Sequence, residues 1–317
     1  MSEKKNWYEI KQNNNIGYAL TFLSLKIFPT FLMRLLAFPI GFFYWIFSKN
    51  ARRVSEKYFE NLAAFQKKRI RKCDFSKKTL FHIVSFALNL VEDVQAWAGK
   101  VNFQKVFWRD DDVNDLVKNI DSSKGVLLII SHVGNAQMLK ALASAGESGT
   151  KRKMSITTIT DQNISAGFNK LLKEINSDSA FNIVSASDIG VETLFMLQDR
   201  LEKGEVVVIA GDRVSAKTNR NIEVDFLGKK APLPYGVFLL ASLLNVPTYF
   251  VNGVRRKDFS LKGEYDMFVK KNEISFDCSK KEREERISEC ASSYAKILES
   301  LCEAHPYQWY NFFDFWN

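Results

Sequence analysis

Apolar positions along the chain follow two different spacings, and the change between them falls near residue 105. Before it, residues 55–72 and 76–100 show the spacing of amphipathic helices. After it, short apolar runs alternate with helical stretches, a pattern typical of strands separated by helices. The runs predict strands at 126–131, 154–159, 182–186, 206–211, 222–226 and 247–254. The stretches between and after them predict helices at 135–146, 164–175, 189–203, 235–245 and 281–303.

This alternation predicts the fold class and the domain organisation. Strands that alternate with helices form βαβ units, so we expect an α/β fold with a mainly parallel central sheet flanked by helices. Residues 1–105 are expected to form a helical, membrane-associated N-terminal region, and residues 106–317 an α/β domain with a C-terminal helix and an aromatic tail. The 317 residues, 46% of them hydrophobic, favour one large domain with helical additions over two independent domains.

An apolar stretch at residues 17–48, interrupted by Lys26 and Arg34, is the predicted membrane anchor. Its longest uncharged segment, residues 35–48, reaches only ~21 Å as a helix, against roughly 30 Å of membrane hydrocarbon. Aromatic residues crowd this segment, and a basic cluster at residues 49–53 follows directly. The pattern therefore favours an anchor in the membrane interface over a spanning helix, with a pair of core helices in a soluble protein as the alternative.

The formal net charge of +9 is compatible with an anionic membrane surface, an acidic protein partner or nucleic acid. The basic clusters are not interleaved with aromatic residues as in single-strand nucleic-acid binding surfaces, so nucleic acid is disfavoured. The four cysteines show neither metal-ligand spacing nor a disulfide framework. We therefore expect no metal site, and reduced thiols in a cytosol-facing protein are the simplest interpretation.

Candidate chemistry begins where the predicted strand 126–131 ends, at the string from His132 to Gln137. A histidine at the carboxyl end of a buried strand lies where open α/β sheets place their active sites. The chain has only three histidines, and His82 falls in an amphipathic helix, where a packed or surface role is expected. We interpret His132 as a general base and Gln137 as the side chain that orients its ring through an uncharged carbonyl oxygen.

Two further groups of residues follow predicted strands. Asp212 and Arg213 end the strand at 206–211; Arg213 is suited to bind a phosphate or carboxylate, and a buried structural salt bridge is the alternative. Residues 224–236 contain Gly and Pro residues that predict a shaped loop leading into a helix near Pro234. An ordinary turn with a basic tip is the alternative for this third group.

These blocks together resemble the lysophospholipid acyltransferase superfamily, and more closely its branch of late lipid A acyltransferases and related predicted acyltransferases. That branch carries His-x-Gly-Asn-x-Glu after a strand, which stands here at residues 132–137. Its Gly-Asp-Arg is similar to residues 211–213, its Val-Asp-Phe-Leu-Gly loop and Pro-rich helix start to residues 224–236, and its aromatic ending to residues 306–316. The chain departs from the pattern at Gln137, where the branch has an acidic residue.

The resemblance implies an O-acyltransferase that moves a fatty acyl group from a thioester to a hydroxyl of a membrane lipid or glycolipid. His132 and Gln137 would be the catalytic residues, with no metal and with acyl carrier protein or coenzyme A thioester as co-substrate. The residues implied to bind substrate are Gly134, Asn135, Asp212, Arg213, Asp225 and Gly228. The implied location is the cytoplasmic face of the bacterial inner membrane. The alternative is a catalytically weak relative, which binds acyl lipid or acyl carrier protein because Gln137 replaces the acidic residue.

Overall fold

The computed structural model describes residues 29–68, 72–97, 101–139, 150–151, 154–160, 181–186, 189–214 and 220–316. Within these residues the N-terminal region has three helices: α1 (Thr30–Phe47), α2 (Lys49–Phe65) and α3 (Lys72–Trp97). The other described helices are α4 (Asp112–Asp121), α5 (Val191–Glu202), α6 (Tyr235–Leu244) and α7 (Arg283–Ala304). The strands are β1 (Val106–Trp108), β2 (Val126–Ile130), β3 (Ile156–Thr160), β4 (Phe181–Ser185), β5 (Val206–Ala210), β6 (Asn221–Phe226), β7 (Lys229–Pro234), β8 (Thr248–Arg255) and β9 (Tyr265–Lys271).

The central sheet has seven strands in the order β1-β9-β8-β2-β5-β3-β4. All neighbouring strands are parallel except β8 and β9, which are antiparallel. The mainly parallel α/β fold predicted from the sequence is therefore confirmed. The strand predicted at 222–226 exists as β6, but it pairs antiparallel with β7 in a separate two-stranded hairpin. That hairpin replaces the predicted loop, and α6 follows it at the predicted place.

Helices cover the central sheet on both faces, which explains the continuous apolar runs of its inner strands. Leu127 and Ile129 of β2 belong to one hydrophobic cluster, together with residues of α5, α6 and α7. Val126 and Leu128 of the same strand belong to a second cluster, together with residues of α4. Because side chains alternate along the strand, one cluster lies on each face of the sheet. The polar residues follow where the strands end.

Helix α1 presents one narrow face to the protein. Met33, Ala37 and Gly41 are buried there, and a Cβ on Gly41 would lie 2.8 Å from the Cα of Val84 in α3, so the two helices meet at a glycine. The exposed large apolar residues of α1 are Phe31, Leu35, Leu36, Ile40, Phe42, Phe43, Tyr44, Ile46 and Phe47. Among the described helices α1 is long and apolar enough to cross a membrane, by length and composition. Residues 17–28 of the predicted anchor lie outside the described part.

The helix predicted at 55–72 is displaced towards the N-terminus. Helix α2 begins at Lys49, six residues earlier than predicted, and ends at Phe65, seven residues earlier, so it contains the basic cluster at residues 49–53. Helices α5, α6 and α7 match the predictions to within two residues at each end. Gln137 to Leu139 are helical, whereas the rest of that predicted helix and the whole of the one at 164–175 lie outside the described residues.

Candidate active site

The site is formed by two neighbouring strands that end at the same level. Ile130 of β2 is paired in register with Ala210 of β5, and two residues further along lie His132 and Asp212. Nδ1 of His132 lies 2.7 Å from Oδ1 of Asp212. The backbone N–H of His132 also donates to Oδ2 of Asp212, at 2.8 Å. One carboxylate therefore fixes both the ring and the backbone of the histidine.

Burial and charge set the protonation of this pair. Because a carboxylate only accepts hydrogen bonds, Nδ1 of the neutral ring carries the proton and Nε2 keeps its lone pair. Burial lowers the pKa of His132, and the charge of Arg213 lowers it further, against the opposing effect of Asp212. His132 is consequently neutral at pH 7, while about 27% of its side chain stays exposed at the edge of the sheet. Among the described residues none is hydrogen-bonded to Nε2, and an imidazole in this neutral form is able to accept a proton there.

Asp212 is fully buried and nevertheless ionised. Burial acts to raise its pKa, but the interactions with His132, together with the charge of Arg213, outweigh burial and lower it. The indole Nε1 of Trp309 adds a hydrogen bond to Oδ2, at 3.3 Å. Arg213 donates to the carbonyl oxygen of Tyr310 at 3.0 Å, and although burial lowers its pKa to about 10, it remains charged at neutral pH.

Asp212, and not Gln137, holds Nδ1 of His132, which corrects the sequence-based assignment of the orienting residue. Gln137 follows the histidine in sequence, but its backbone N–H is directed to Oδ1 of Asn135, at 2.9 Å. The same oxygen accepts the N–H of Met138, at 3.1 Å, so Asn135 caps the helix that starts here. Asp212 reaches the ring because β5 lies next to β2 in the sheet. This strand order cannot be read from the sequence.

Gly134 and Asn135 both serve the turn after His132. Gly134 has φ +71°, and a Cβ at this position would lie 2.1 Å from the carbonyl oxygen of Gly253 in β8, so only glycine fits. The N–H of Asn135 donates to that same oxygen, at 2.6 Å. The side-chain nitrogen Nδ2 of Asn135 is buried and has no hydrogen-bond partner in the described part of the chain.

Asp225 and Gly228 lie elsewhere, on the β6–β7 hairpin. The side chain of Asp225 is 80% exposed and forms an ion pair with Lys230, at 3.0 Å. Gly228 and the preceding Leu227 both have positive φ, 73° and 50°, as a two-residue hairpin turn requires. Neither is a hydrogen-bond partner of His132 or Asp212, so their proposed contact with substrate stays a prediction.

The C-terminal tail completes the site, a role that the sequence did not reveal. Val133 forms an isolated antiparallel bridge with Trp309. On either side of this bridge, the N–H of Gly134 donates to the carbonyl of Gln308, at 2.7 Å, and the N–H of Tyr310 donates to the carbonyl of His132, at 2.9 Å. The available signal was Gln308, a polar residue within an aromatic run; its side chain is fully buried.

His82 is a packed histidine, one of the two roles expected for it. Its ring lies 2.8 Å from the hydroxyl oxygen of Ser55 through Nδ1 and 2.8 Å from the carbonyl oxygen of Trp309 through Nε2. Burial lowers its pKa to about 4, and the bond to Trp309 only partly opposes this. Among the described residues, no group of three or more His, Cys, Asp or Glu side chains is arranged to hold a metal ion.

The site is a carboxylate-held imidazole at the carboxyl edge of a mainly parallel sheet, where α/β enzymes place their active sites. The chain belongs to the bacterial lipid A biosynthesis acyltransferase family, whose model matches residues 79–317. The predicted family and the predicted acyltransferase activity are thus confirmed, and the family implies a lipid acceptor and an acyl thioester donor. A search of curated proteins finds no match to the chain.

Proposed function

We propose that the protein is a membrane-associated O-acyltransferase that transfers a fatty acyl group from acyl carrier protein or coenzyme A to a hydroxyl of a lipid or glycolipid. The observation that carries this proposal is the neutral His132, held through Nδ1 by the buried carboxylate of Asp212. Nε2 of His132 is the atom that accepts the proton in general-base catalysis, and Asp212 stabilises the imidazolium that forms.

In the proposed reaction Nε2 of His132 removes the proton of the acceptor hydroxyl while the hydroxyl oxygen attacks the thioester carbon. The tetrahedral intermediate then breaks its carbon–sulfur bond. The departing sulfur takes the proton back from His132, which leaves a new ester and a free thiol. The enzyme ends in its starting protonation state, and no covalent bond to the protein is formed.

Two neighbouring side chains support the handling of charge in this reaction. The buried Nδ2 of Asn135 is a donor without a partner, which fits the stabilisation of a developing oxyanion. Arg213 carries a buried positive charge beside the pair, which fits a phosphate of the donor or acceptor. Gly134 contributes by allowing the turn that places Asn135.

The membrane part of the proposal rests on helix α1 and the residues after it. The exposed aromatic and aliphatic side chains of α1 form an apolar surface that fits the interior of a bilayer leaflet. Arg52 donates to the carbonyl oxygens of Trp45 and Ile46 at the end of α1, which places positive charge where anionic head groups would lie. With the reduced cysteines expected from the sequence, this supports the cytoplasmic face of the inner membrane.

The alternative function is a weak relative that binds acyl lipid or acyl carrier protein without turning it over. Its only support is Gln137, which stands where the family pattern has an acidic residue. Asp212 supplies the carboxylate to His132 instead, which favours an active enzyme over this alternative.

The test is acyl transfer by the full-length protein in vesicles that contain an under-acylated lipid A precursor. Acyl carrier protein and coenzyme A thioesters are supplied in separate reactions, and mass spectrometry detects the new ester. We expect ester formation with at least one donor. Binding of either donor to the vesicle-bound protein without any ester would reject the active enzyme and support the binding protein.

A further inference from the structure

A single residue of the C-terminal tail, Tyr310, binds both His132 and Arg213 through its backbone. Its N–H donates to the carbonyl oxygen of His132, at 2.9 Å, and its own carbonyl oxygen accepts Nη2 of Arg213, at 3.0 Å. Any displacement of this residue therefore moves the base and the cation together. The position of Tyr310 itself must be set by contacts elsewhere.

The phenol of Tyr310 is fixed in a buried polar cluster. Its hydroxyl accepts Nη2 of Arg255, at 2.8 Å, and lies 3.0 Å from the hydroxyl of Ser85 on α3. Arg255 has only donors, so the hydroxyl proton of Tyr310 is free to bond to Ser85. Burial raises the pKa of Tyr310 to about 12, so the phenol is neutral at neutral pH.

Arg255, at the end of β8, is in turn fixed by Glu92 of α3. The Nε of Arg255 lies 2.9 Å from Oε2 of Glu92, and both side chains are 1% exposed. The other guanidinium nitrogens donate to the hydroxyl and carbonyl of Ser85, at 3.2 and 3.1 Å, and to the carbonyl of Asp258. A guanidinium with this many partners has one orientation, which makes it a rigid support for the phenol.

The same glutamate connects to helix α1. The Nε of Arg34, within α1, lies 3.7 Å from Oε1 of Glu92, and its Nη1 donates to the carbonyl of Leu261, at 2.8 Å. Ion pairs and hydrogen bonds thus connect the apolar helix α1 through Glu92, Arg255 and Tyr310 to the backbone of His132. None of these contacts is required by the proposed chemistry itself.

We propose that Tyr310 is a positioning residue for the reaction, and that the Glu92–Arg255 ion pair holds it in place. Helices α1 and α3 are then structural parts of the active site in addition to any role in membrane attachment. The proposal rests on the proposed acyl transfer for its kinetic readout, but its structural readout is independent of that function. It assigns to Tyr310 an effect on turnover through the placement of His132, not through contact with substrate.

The central variant is Tyr310→Phe, which removes only the hydroxyl that binds Arg255 and Ser85. We expect kcat to fall about ten- to a hundredfold, because a displacement of about 1 Å at a reacting group has effects of that size. KM should rise as well, because the carbonyl oxygen of Tyr310 also holds Arg213, the proposed ligand of a substrate phosphate. Tyr307→Phe is the matched control, because Tyr307 lies in the same tail and its ring packs against Phe59, Phe81 and Phe259 outside the cluster.

A proton NMR spectrum of the full-length protein supplies the independent structural readout. The Nδ1–H of His132, hydrogen-bonded to Asp212, gives a downfield resonance, which is assigned by its absence in His132→Ala. We expect Tyr310→Phe to broaden or shift it and Tyr307→Phe to leave it unchanged. Because this resonance reports geometry and not turnover, it tests the positioning role even when the wild-type protein transfers no acyl group. An unchanged resonance in folded Tyr310→Phe would overturn the proposal.

Ser85→Ala and Glu92→Gln complete the design. Ser85→Ala deletes one hydroxyl of the cluster with little change in volume, so it provides the test when Tyr310→Phe fails to fold. Glu92→Gln keeps the shape of the ion pair but removes its negative charge. Combined with Tyr310→Phe it should add little further loss of kcat, because both changes act on one connected cluster. If the fall in kcat of the double variant equals the product of the two single falls, the two residues act independently, and the proposed coupling through Arg255 is wrong.

Discussion

His82 and His132 both lie against the C-terminal tail, but the two rings are held in different ways. His82 is 1% exposed, and both of its nitrogens are bonded, to Ser55 and to the carbonyl of Trp309. His132 has one nitrogen bonded to Asp212, and about 27% of its side chain is exposed. Burial lowers the pKa of both rings, so both are neutral at pH 7.

The comparison shows that neutrality alone does not make a histidine a base. The carbonyl of Trp309 can only accept, so Nε2 of His82 carries the proton and Nδ1 accepts from Ser55. That ring has no lone pair left for a substrate. In His132 the carboxylate takes the protonated nitrogen, and among the described residues the unprotonated one has no hydrogen-bond partner. The two rings differ in the chemistry of their partners and in the exposed fraction of their side chains.

The largest expected effect comes from replacing each histidine by glutamine in turn. His132→Gln should lower kcat about a thousandfold, within the range that a general base contributes. His82→Gln should leave the rate per folded molecule within about fivefold of wild type. Steady-state acyl transfer, normalised to folded protein by circular dichroism, measures both. Similar losses in the two variants would abolish the distinction between them.

Asp212→Asn should lower kcat about a hundred- to a thousandfold, because Oδ2 of Asp212 accepts two N–H donors and Oδ1 accepts a third. An amide nitrogen in either place meets a donor or forces His132 into the wrong tautomer. Asp199→Asn is the control, since that exposed carboxylate forms an ion pair with Lys203 on the surface of α5. A rate for Asp212→Asn equal to the control would remove Asp212 from the mechanism.

His82 should make the folded state sensitive to acid. Its pKa is about 4 when folded and 6.5 when unfolded, so below pH 6.5 the unfolded chain binds a proton that the folded protein lacks. Stability from this residue is complete above pH 6.5 and is lost as the pH falls towards 4, by about 3 kcal/mol in total. Urea unfolding at pH 7 and pH 4.5 should show a smaller pH dependence in His82→Gln. Equal pH dependence in both proteins would rule out His82 as the source.

The smallest effect is expected at Gln137. Because Asp212 already binds Nδ1 of His132, a carboxylate introduced by Gln137→Glu has no ring proton left to orient. We expect both Gln137→Glu and Gln137→Ala to remain within about threefold of the wild-type kcat, with no gain in the glutamate variant. A clear rise in Gln137→Glu would show that the wild-type pair is incomplete, and would return the orienting role to residue 137.

The sequence was sufficient for most of the sheet because buried parallel strands leave continuous apolar runs. It failed for β1, which is only three residues long, and for β7 and β9, where charged and apolar residues are mixed. The strand at 222–226 was found, but its partner was not. A run of apolar residues reveals that a strand exists and does not reveal the neighbour with which it pairs.

The same distinction explains the site. His132, Asp212 and Arg213 were all recognised, because each follows a strong strand signal. Their relationship was not recognised, because the contact between His132 and Asp212 depends on β2 lying beside β5. Trp309 and Tyr310 were seen only as part of a resemblance, since a tail that pairs for two or three residues leaves no periodic pattern.

The register between β2 and β5 limits how this family member can change in length. Ile130 and Ala210 are paired in register. His132 and Asp212 meet because each lies two residues beyond its paired residue. A single-residue insertion or deletion within either strand would turn one side chain to the opposite face. Gains and losses of residues over evolutionary time should therefore be excluded from these two strands and accepted in surface turns such as that at Leu227 and Gly228.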